Sequence, residues 1–280
     1  MTPDLELALR LADAADAISA LHFGIDDLAV EFKRDGSPVT EVDPAVENAM
    51  ASIVRVERPD DALLGEEIGA SGSGPRRWIF DGIDGTHNYA VGRPMWGTMI
   101  GLEVDGEVEV GVVSSPGMGK RWYAARGCGS WEIESGSAAP PRRLQCSTTA
   151  DLEQATVSVA PLAGMLAGWR SDAADVLRRG EPIVTRSFAI TGVYIASGLM
   201  DASVTFMAGI WDIAAVAVIV EEAGGRFSDV WGGRALDTTT SVLSNGHLGA
   251  QLLAIAAPHL PAEPDEVVWI NRPPMPTRAS

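Results

Sequence analysis

Four groups of acidic residues stand where the chain changes its secondary-structure pattern: Asp43, Glu66-Glu67, Asp81 with Asp84, and Asp212. Carboxylates offer hard oxygen ligands, which suit a hard divalent cation, magnesium before calcium. The histidines at 22, 87, 247 and 259 are too scattered for a zinc site. Cys128 and Cys146 have no CxxC partner and no nearby histidine, so both are expected to be reduced and structural. The segment Asp81-Gly82-Ile83-Asp84-Gly85-Thr86 follows directly on the apolar run Trp78-Ile79-Phe80. On a tight turn, Asp81 and Asp84 can face one ion pair with the Ile83 carbonyl between them. Gly85 and Thr86 then set backbone N–H groups beside it, a cradle for phosphate. An EF-hand is excluded, because Gly85 and Thr86 fall where its loop needs a ligand and a glycine.

Each group also has a plainer reading. Asp43 and Asp212 can be helix N-caps, Glu66-Glu67 a solvated strand end, and the two Asp-Gly pairs a simple turn. The plain readings leave unexplained why carboxylates recur at element ends in this order.

The elements that must position these residues follow from periodicity. Leu7, Leu11, Ala14, Ile18 and Leu21 make one stripe of a helix over 4–23. Asp43-Pro44 opens a second helix with Val46, Met50 and Ile53 on its buried face. Between them, residues 31–38 (EFKRDGSP) read as a loop or mobile hairpin. Strands are expected at Ala62–Leu64, Trp78–Phe80, Gly97–Val104, Val108–Ser114 and Arg121–Ala125, the last three in an antiparallel sheet with Asp105-Gly106 as the turn. Ser71–Pro75 separates the first two strands. The loop 135–141 divides an N-terminal α+β half (1–145) from a C-terminal α/β half (146–257). A helix from Asp212 to Ala223 stops at Gly224-Gly225. Residues 258–280 carry six of the 17 prolines and read as an extended tail.

Composition narrows the function. The 280 residues are 46% hydrophobic, enough for a sizeable core. A formal charge of −17 and no run of more than two basic residues argue against nucleic acid. The longest strongly apolar run, Ile213–Val220, is eight residues, too short to span a membrane. The N-terminus has no signal-peptide pattern, so the expectation is a cytoplasmic protein without membrane or nucleic-acid partners.

Gly65-Glu66-Glu67 followed by Trp78–Thr86 resembles the signature of the inositol monophosphatase family. Trp211-Asp212-Ile213-Ala214-Ala215 with Glu222-Ala223-Gly224-Gly225 is similar to its second signature, and Val39–Asp43 to its N-terminal segment. The stretch Arg121–Gly127 looks most like the histidinol-phosphate phosphatase branch. The resemblance implies an α/β protein with a five-layered αβαβα sandwich, a homodimer, hydrolysing a small phosphomonoester with magnesium. By matching positions, Glu66, Asp81 and the Ile83 carbonyl would hold one ion, and Asp81, Asp84 and Asp212 a second. The count would be two, or three with one more beside Glu66. Thr86, paired with Asp43, would orient the attacking water near Glu66; Lys33 matches a lysine near the phosphate.

The departures from the pattern concern the substrate end. Gly82 stands where the family has proline, which should loosen the ligand loop. His87 is either a loop residue at a helix start or a contact to the phosphate or leaving group. Thr205 stands where a substrate-contacting glutamate is typical, and Ser187-Phe188 fall on the branch's Gly-Asp pair. Phe188 and Phe206 would make an apolar region suited to a ring; alternatively Phe188 is core and Arg186 meets the family's arginine. A pocket lacking two carboxylates binds an amine less well. The expected substrate is a sugar, polyol or nucleoside monophosphate, with histidinol phosphate as the alternative. A catalytically weakened homologue with a binding or regulatory role is the reading from another class.

Overall fold

The computed structural model describes residues 1–25, 28–33, 36–160, 184–206 and 208–256. Helix α1 (Pro3–His22) begins at Thr2, whose Oγ1 accepts from the Leu5 N–H at 3.2 Å, with proline at the first position. Its buried face is Leu7, Ala8, Leu11, Ala12, Ala15 and Ser19. The stripe read from sequence is shifted from this face: Ala14 and Ile18 lie at its margin, and Leu21 in the last turn is 71% exposed. A short antiparallel hairpin of β1 (Val30–Phe32) and β2 (Pro38–Thr40) leads to α2 (Val42–Glu57).

An eight-stranded sheet follows. In chain order its strands are β3 (Ala62–Gly65), β4 (Gly69–Ser71), β5 (Arg76–Asp84), β6 (Gly97–Val104), β7 (Glu107–Ser115), β8 (Lys120–Ala125), β9 (Ser130–Glu134) and β10 (Arg142–Arg143). They lie in the order β10-β9-β8-β7-β6-β5-β3-β4. All neighbours are antiparallel except β3 and β5, which run parallel. The expected Asp105-Gly106 turn is present, with φ of 52° and 88°, the two positive angles of a type I′ hairpin. Short helix α3 (Thr86–Ala90) sits between β5 and β6.

Among the described residues a second sheet has four strands in the order β11-β12-β14-β13: β11 (Val157–Ala160), β12 (Ala202–Phe206), β13 (Arg226–Ser228) and β14 (Thr240–Ser244). Helices α4 (Phe188–Ala196) and α5 (Ile210–Glu222) lie between the sheets, and α6 (Gly249–Ala256) packs outside the smaller one.

The layers are therefore α1 and α2, the large sheet, α4 and α5, the small sheet, and α6, the αβαβα arrangement expected. Among the described residues three apolar clusters fill the gaps. One joins α1 and α2 to Trp78, Phe80, Ile100 and Val112 of the large sheet. A second surrounds α4 and α5, and a third joins Val204, Phe206 and Val242 to Leu248 and Leu252. Ile213–Val220 is apolar all round because α5 has a sheet on each side, and every residue of that run is buried. No helix among the described residues is long and apolar enough to cross a membrane.

Both cysteines are free; Cys146 is buried, but Cys128 is exposed and contributes nothing to the core, contrary to the sequence reading. The proline-rich segment 258–280 lies outside the described residues.

Candidate active site

Strand β5 carries two acidic residues an odd number of positions apart, which in a regular strand would face opposite sides of the sheet. The strand is not regular there. Asp81 pairs with Met99 and Asp84 with Gly97, so β5 has one residue more than β6 across this step. That bulge, rather than the tight turn expected, turns both side chains to the same end of the sheet. The bulge is held from both sides: Thr98 Oγ1 donates to the Gly82 carbonyl at 2.8 Å, and the Gly82 N–H donates to Glu47 Oε1 at 3.3 Å.

Asp212 arrives from α5. It is the third helical residue and not the N-cap; its Oδ2 accepts the N–H of Gly209, the residue at the cap, at 2.6 Å. Asp81, Asp84 and Asp212 each offer a carboxylate oxygen, all within 4.8 Å of one another. Asp84 is further tied to the start of α4. Its Oδ1 accepts from the Phe188 N–H at 3.0 Å, and its Oδ2 accepts from the Ala189 N–H at 2.8 Å and from Ser187 Oγ. Asp81, 2% exposed, accepts no hydrogen bond from any described residue.

Glu66 follows β3, and Lys33 of the β1–β2 hairpin bridges it: Nζ lies 2.7 Å from Glu66 Oε1 and also reaches Glu67 Oε1. Asp43 is likewise not a cap. It lies one residue inside α2 and reaches back, Oδ2 accepting from the Thr40 N–H at 2.9 Å and from Thr40 Oγ1 at 2.6 Å. Its Oδ1 faces Thr86 Oγ1 at 3.1 Å, and the same hydroxyl lies 2.9 Å from the Ile83 carbonyl. Gly85, with φ of 82°, is the N-cap of α3. The Asn88 N–H donates to the Gly85 carbonyl at 2.8 Å; the N–H groups before it have no carbonyl one turn back to receive them and can serve an acceptor.

The electrostatics follow from burial. Burial pushes Asp81 and Asp212 well above the usual carboxylate range, and the neighbouring Glu66 and Asp84 charges push the same way. Burial raises Asp84 to about 6 against its hydrogen bonds from α4, and raises Glu47 to about 7 against three backbone donors. Glu66 is also raised by burial, with Lys33 opposing. Burial lowers Lys33, but Glu66 and Glu67 outweigh it and leave the ammonium more basic than usual. The buried Asp81 and Asp84 and the partly buried Asp212, crowded together with no basic side chain among them, form an oxygen-only donor set. That set fits a hard divalent cation, whose charge would offset the repulsion.

The other expected residues are distributed around this centre. His87 Nε2 lies 2.7 Å from Arg186 Nη1, both exposed; the guanidinium, which only donates, donates to the imidazole nitrogen. Phe188 is half-buried against the cluster around α4 and α5. Thr205, in mid β12, is 3% exposed, which leaves little of its surface for a substrate. Phe206 on the opposite face of β12 is in the third core cluster, so it cannot stack on a ligand ring.

Two residues at the site were not anticipated, Glu47 and Thr98, while Thr40 and Ser187 lay in segments read from sequence without the roles found here, support of Asp43 and a hydrogen bond to Asp84. Of the two, Glu47 carried a legible signal, a carboxylate four residues after Asp43 and hence on the same helix face as Val46 and Met50.

Gly82 is not the loose point expected from its replacing proline. A Cβ there would stand 2.5 Å from the Asp43 carbonyl, and its N–H serves a buried carboxylate. Gly82→Pro is therefore expected to destabilise the protein by about 3 kcal/mol or more. A urea midpoint equal to wild type would refute this.

Comparison with known proteins bears on the chemistry. The sequence matches the inositol monophosphatase family over residues 1–260. It is 37% identical over 252 residues to the histidinol-phosphatase of Mycobacterium tuberculosis, covering 89% of this chain and 96% of that protein. It is 39% identical over 256 residues to the histidinol-phosphatase of Streptomyces coelicolor, covering 89% and 95%. The fold is similar to the IMPase of Thermotoga maritima, with a TM-score of 0.79 and 27% identity over 92% of this chain and 98% of that one.

Proposed function

The chain belongs to the inositol monophosphatase family and is a phosphatase, and on that footing we propose that it is a magnesium-dependent phosphomonoesterase acting on a small monophosphate of the sugar, polyol or nucleoside type. The observation that carries this reading is the convergence of Asp81, Asp84 and Asp212 within 4.8 Å, next to the Asp43–Thr86 pair. Glu66, Asp81 and the Ile83 carbonyl would hold one cation; Asp81, Asp84 and Asp212 would hold a second. Bound there, magnesium supplies a Lewis acid that makes water acidic and stabilises charge on the transferring phosphoryl group.

The chain's own residues do the rest. Thr86 Oγ1 has one hydrogen and two acceptors in reach, of which the anionic Asp43 is the stronger. Donating to Asp43 leaves the threonine lone pairs free to accept a proton of the attacking water, and Thr40 holds Asp43 in place for it. The Gly85 and Thr86 N–H groups donate to the phosphoryl oxygens. Lys33 balances Glu66 and Glu67. His87 and Arg186 stand at the exposed rim, where they contact the ester.

Histidinol phosphate is the second reading, favoured by the identity to the two histidinol-phosphatases. The uncharged Thr205 and Ser187 favour a neutral leaving group instead. We further propose a homodimer in the cytoplasm, on the family resemblance.

The test is phosphate release from a panel of histidinol phosphate, inositol phosphates, sugar phosphates and nucleotides, with magnesium and with chelator. We expect turnover that needs magnesium and is fastest on a neutral sugar, polyol or nucleoside ester. A preference of tenfold or more for histidinol phosphate would establish the second reading. No magnesium-dependent release from any ester would overturn both and leave the binding or regulatory role.

A further inference from the structure

Glu47 is an acidic residue on α2 with 0% of its surface exposed and no basic partner among the described residues. Its Oε2 accepts the N–H groups of Glu67 and Ile68, both at 3.0 Å, and its Oε1 accepts the Gly82 N–H at 3.3 Å. The two segments it joins are far apart in sequence. One leaves β3 directly after Glu66, and the other is the β5 bulge directly after Asp81. Each donates the N–H one position past an acidic residue assigned above to the first cation.

The packing is arranged around this carboxylate. A Cβ on Gly65 would stand 2.2 Å from Glu47 Oε2, and a Cβ on Gly82 would stand 3.2 Å from Glu47 Cγ. A glycine thus precedes Glu66 and another follows Asp81, and the room they leave is filled by Glu47. A buried anion without a cation is costly unless donors surround it. Its retention at 0% exposure requires the three N–H groups to stay where they are.

We propose that Glu47 is a positioning residue for the cation site: it ties the Glu66 turn to the Asp81 bulge and so sets the spacing between these two carboxylates. Its hydrogen bonds from described residues come from backbone N–H groups, and it stands outside the converging set Asp81, Asp84 and Asp212, so it acts through the ligands rather than as one of them. The inference rests on the assignment of Glu66 and Asp81 to a shared cation.

The test is calorimetric titration of the metal-free full chain with magnesium chloride, for wild type, Glu47→Gln and Gly65→Ala, beside thermal unfolding in chelator. Gln keeps one acceptor oxygen for Glu67 and Ile68 but turns its amide toward the Gly82 N–H, donor against donor. Gly65→Ala leaves Glu47 intact and pushes its carboxylate aside. Each substitution is expected to weaken magnesium binding about 10–100-fold, in the range of lost support behind metal ligands. KM for the ester at saturating magnesium should stay within about threefold of wild type, because the phosphate cradle is untouched. A purely structural residue would lower the unfolding temperature and leave magnesium affinity unchanged. Should Glu47→Gln not fold, Gly65→Ala decides. Wild-type affinity in the variant that folds overturns the positioning role while leaving the cation assignment standing. Failure of the wild type itself to bind magnesium overturns the assignment instead.

Discussion

Asp81→Asn is expected to lower kcat/KM about 10³-fold and, in the same preparation, to make the metal-free protein more stable. The loss follows from charge stabilisation worth several kcal/mol, each 1.4 kcal/mol being about tenfold in rate. The gain follows from the structure. Asp81 is 2% exposed, receives no hydrogen bond from a described residue, and is held up in pKa first by burial and then by Glu66, Asp84 and Asp212. An amide at that position has no charge to desolvate and none to repel, so stability in chelator should rise by about 1–2 kcal/mol, the usual size when a strained functional group is removed.

Asp84→Asn is expected to behave differently. Both Asp84 oxygens accept hydrogen bonds from the start of α4, so an amide nitrogen there would face an N–H or O–H donor. That variant should lose activity and stability together. Chemical denaturation of both variants in chelator, beside phosphate release with magnesium, separates the cases. Wild-type turnover in Asp81→Asn would sink the cation assignment, and an Asp81→Asn less stable than wild type would refute the electrostatic account.

The metal-free protein should also lose stability as pH rises from 5 to 7.5, the reverse of ordinary acid denaturation. Asp84 is raised from 3.8 to about 6, and Glu47 from 4.5 to about 7. A group with a raised folded-state pKa binds its proton more tightly when folded. Its stabilisation is complete below the unfolded pKa and disappears as pH passes the folded pKa. At about 1.4 kcal/mol per unit, the two groups together give on the order of 3–6 kcal/mol across that window. Glu132 and Glu221, lowered by Arg142 and Lys120 and by Arg234 and Arg126 against burial, act in the opposite sense but titrate below it. Magnesium at 100 times its Kd adds about 2.7 kcal/mol at the upper end, where the carboxylates are ionised, and should flatten the profile. Unfolding temperatures in chelator at pH 5.5 and 7.5 check this; an equal or higher value at pH 7.5 contradicts the account.

Much of the site was legible because its chemistry is written in residue type. A hard divalent cation prefers oxygen ligands, so the carboxylates Asp43, Glu66, Asp81, Asp84 and Asp212 could be named as candidates from the sequence, and the motifs that hold them carry the family resemblance without coordinates. The Asp105-Gly106 hairpin was readable for a local reason, since its two positive φ angles suit those residue types. The helix expected from Asp212 to Ala223, stopped at Gly224-Gly225, is α5, Ile210–Glu222.

What the sequence could not decide depends on contacts between distant segments. Asp81 and Asp84 share a side only because β5 bulges against β6, and that register is set by Thr98 and Glu47, 16 and 35 residues from Gly82. Asp43 and Asp212 both look like caps from their neighbours, yet each lies inside its helix with one oxygen satisfied locally and the other side turned to the site. Gly82 looks like lost rigidity until the Asp43 carbonyl is seen to occupy the space a Cβ would need. Ligand identity is a property of single residues and survives in the sequence. Ligand geometry depends on strand register and on the burial of charge, which arise only when the layers pack.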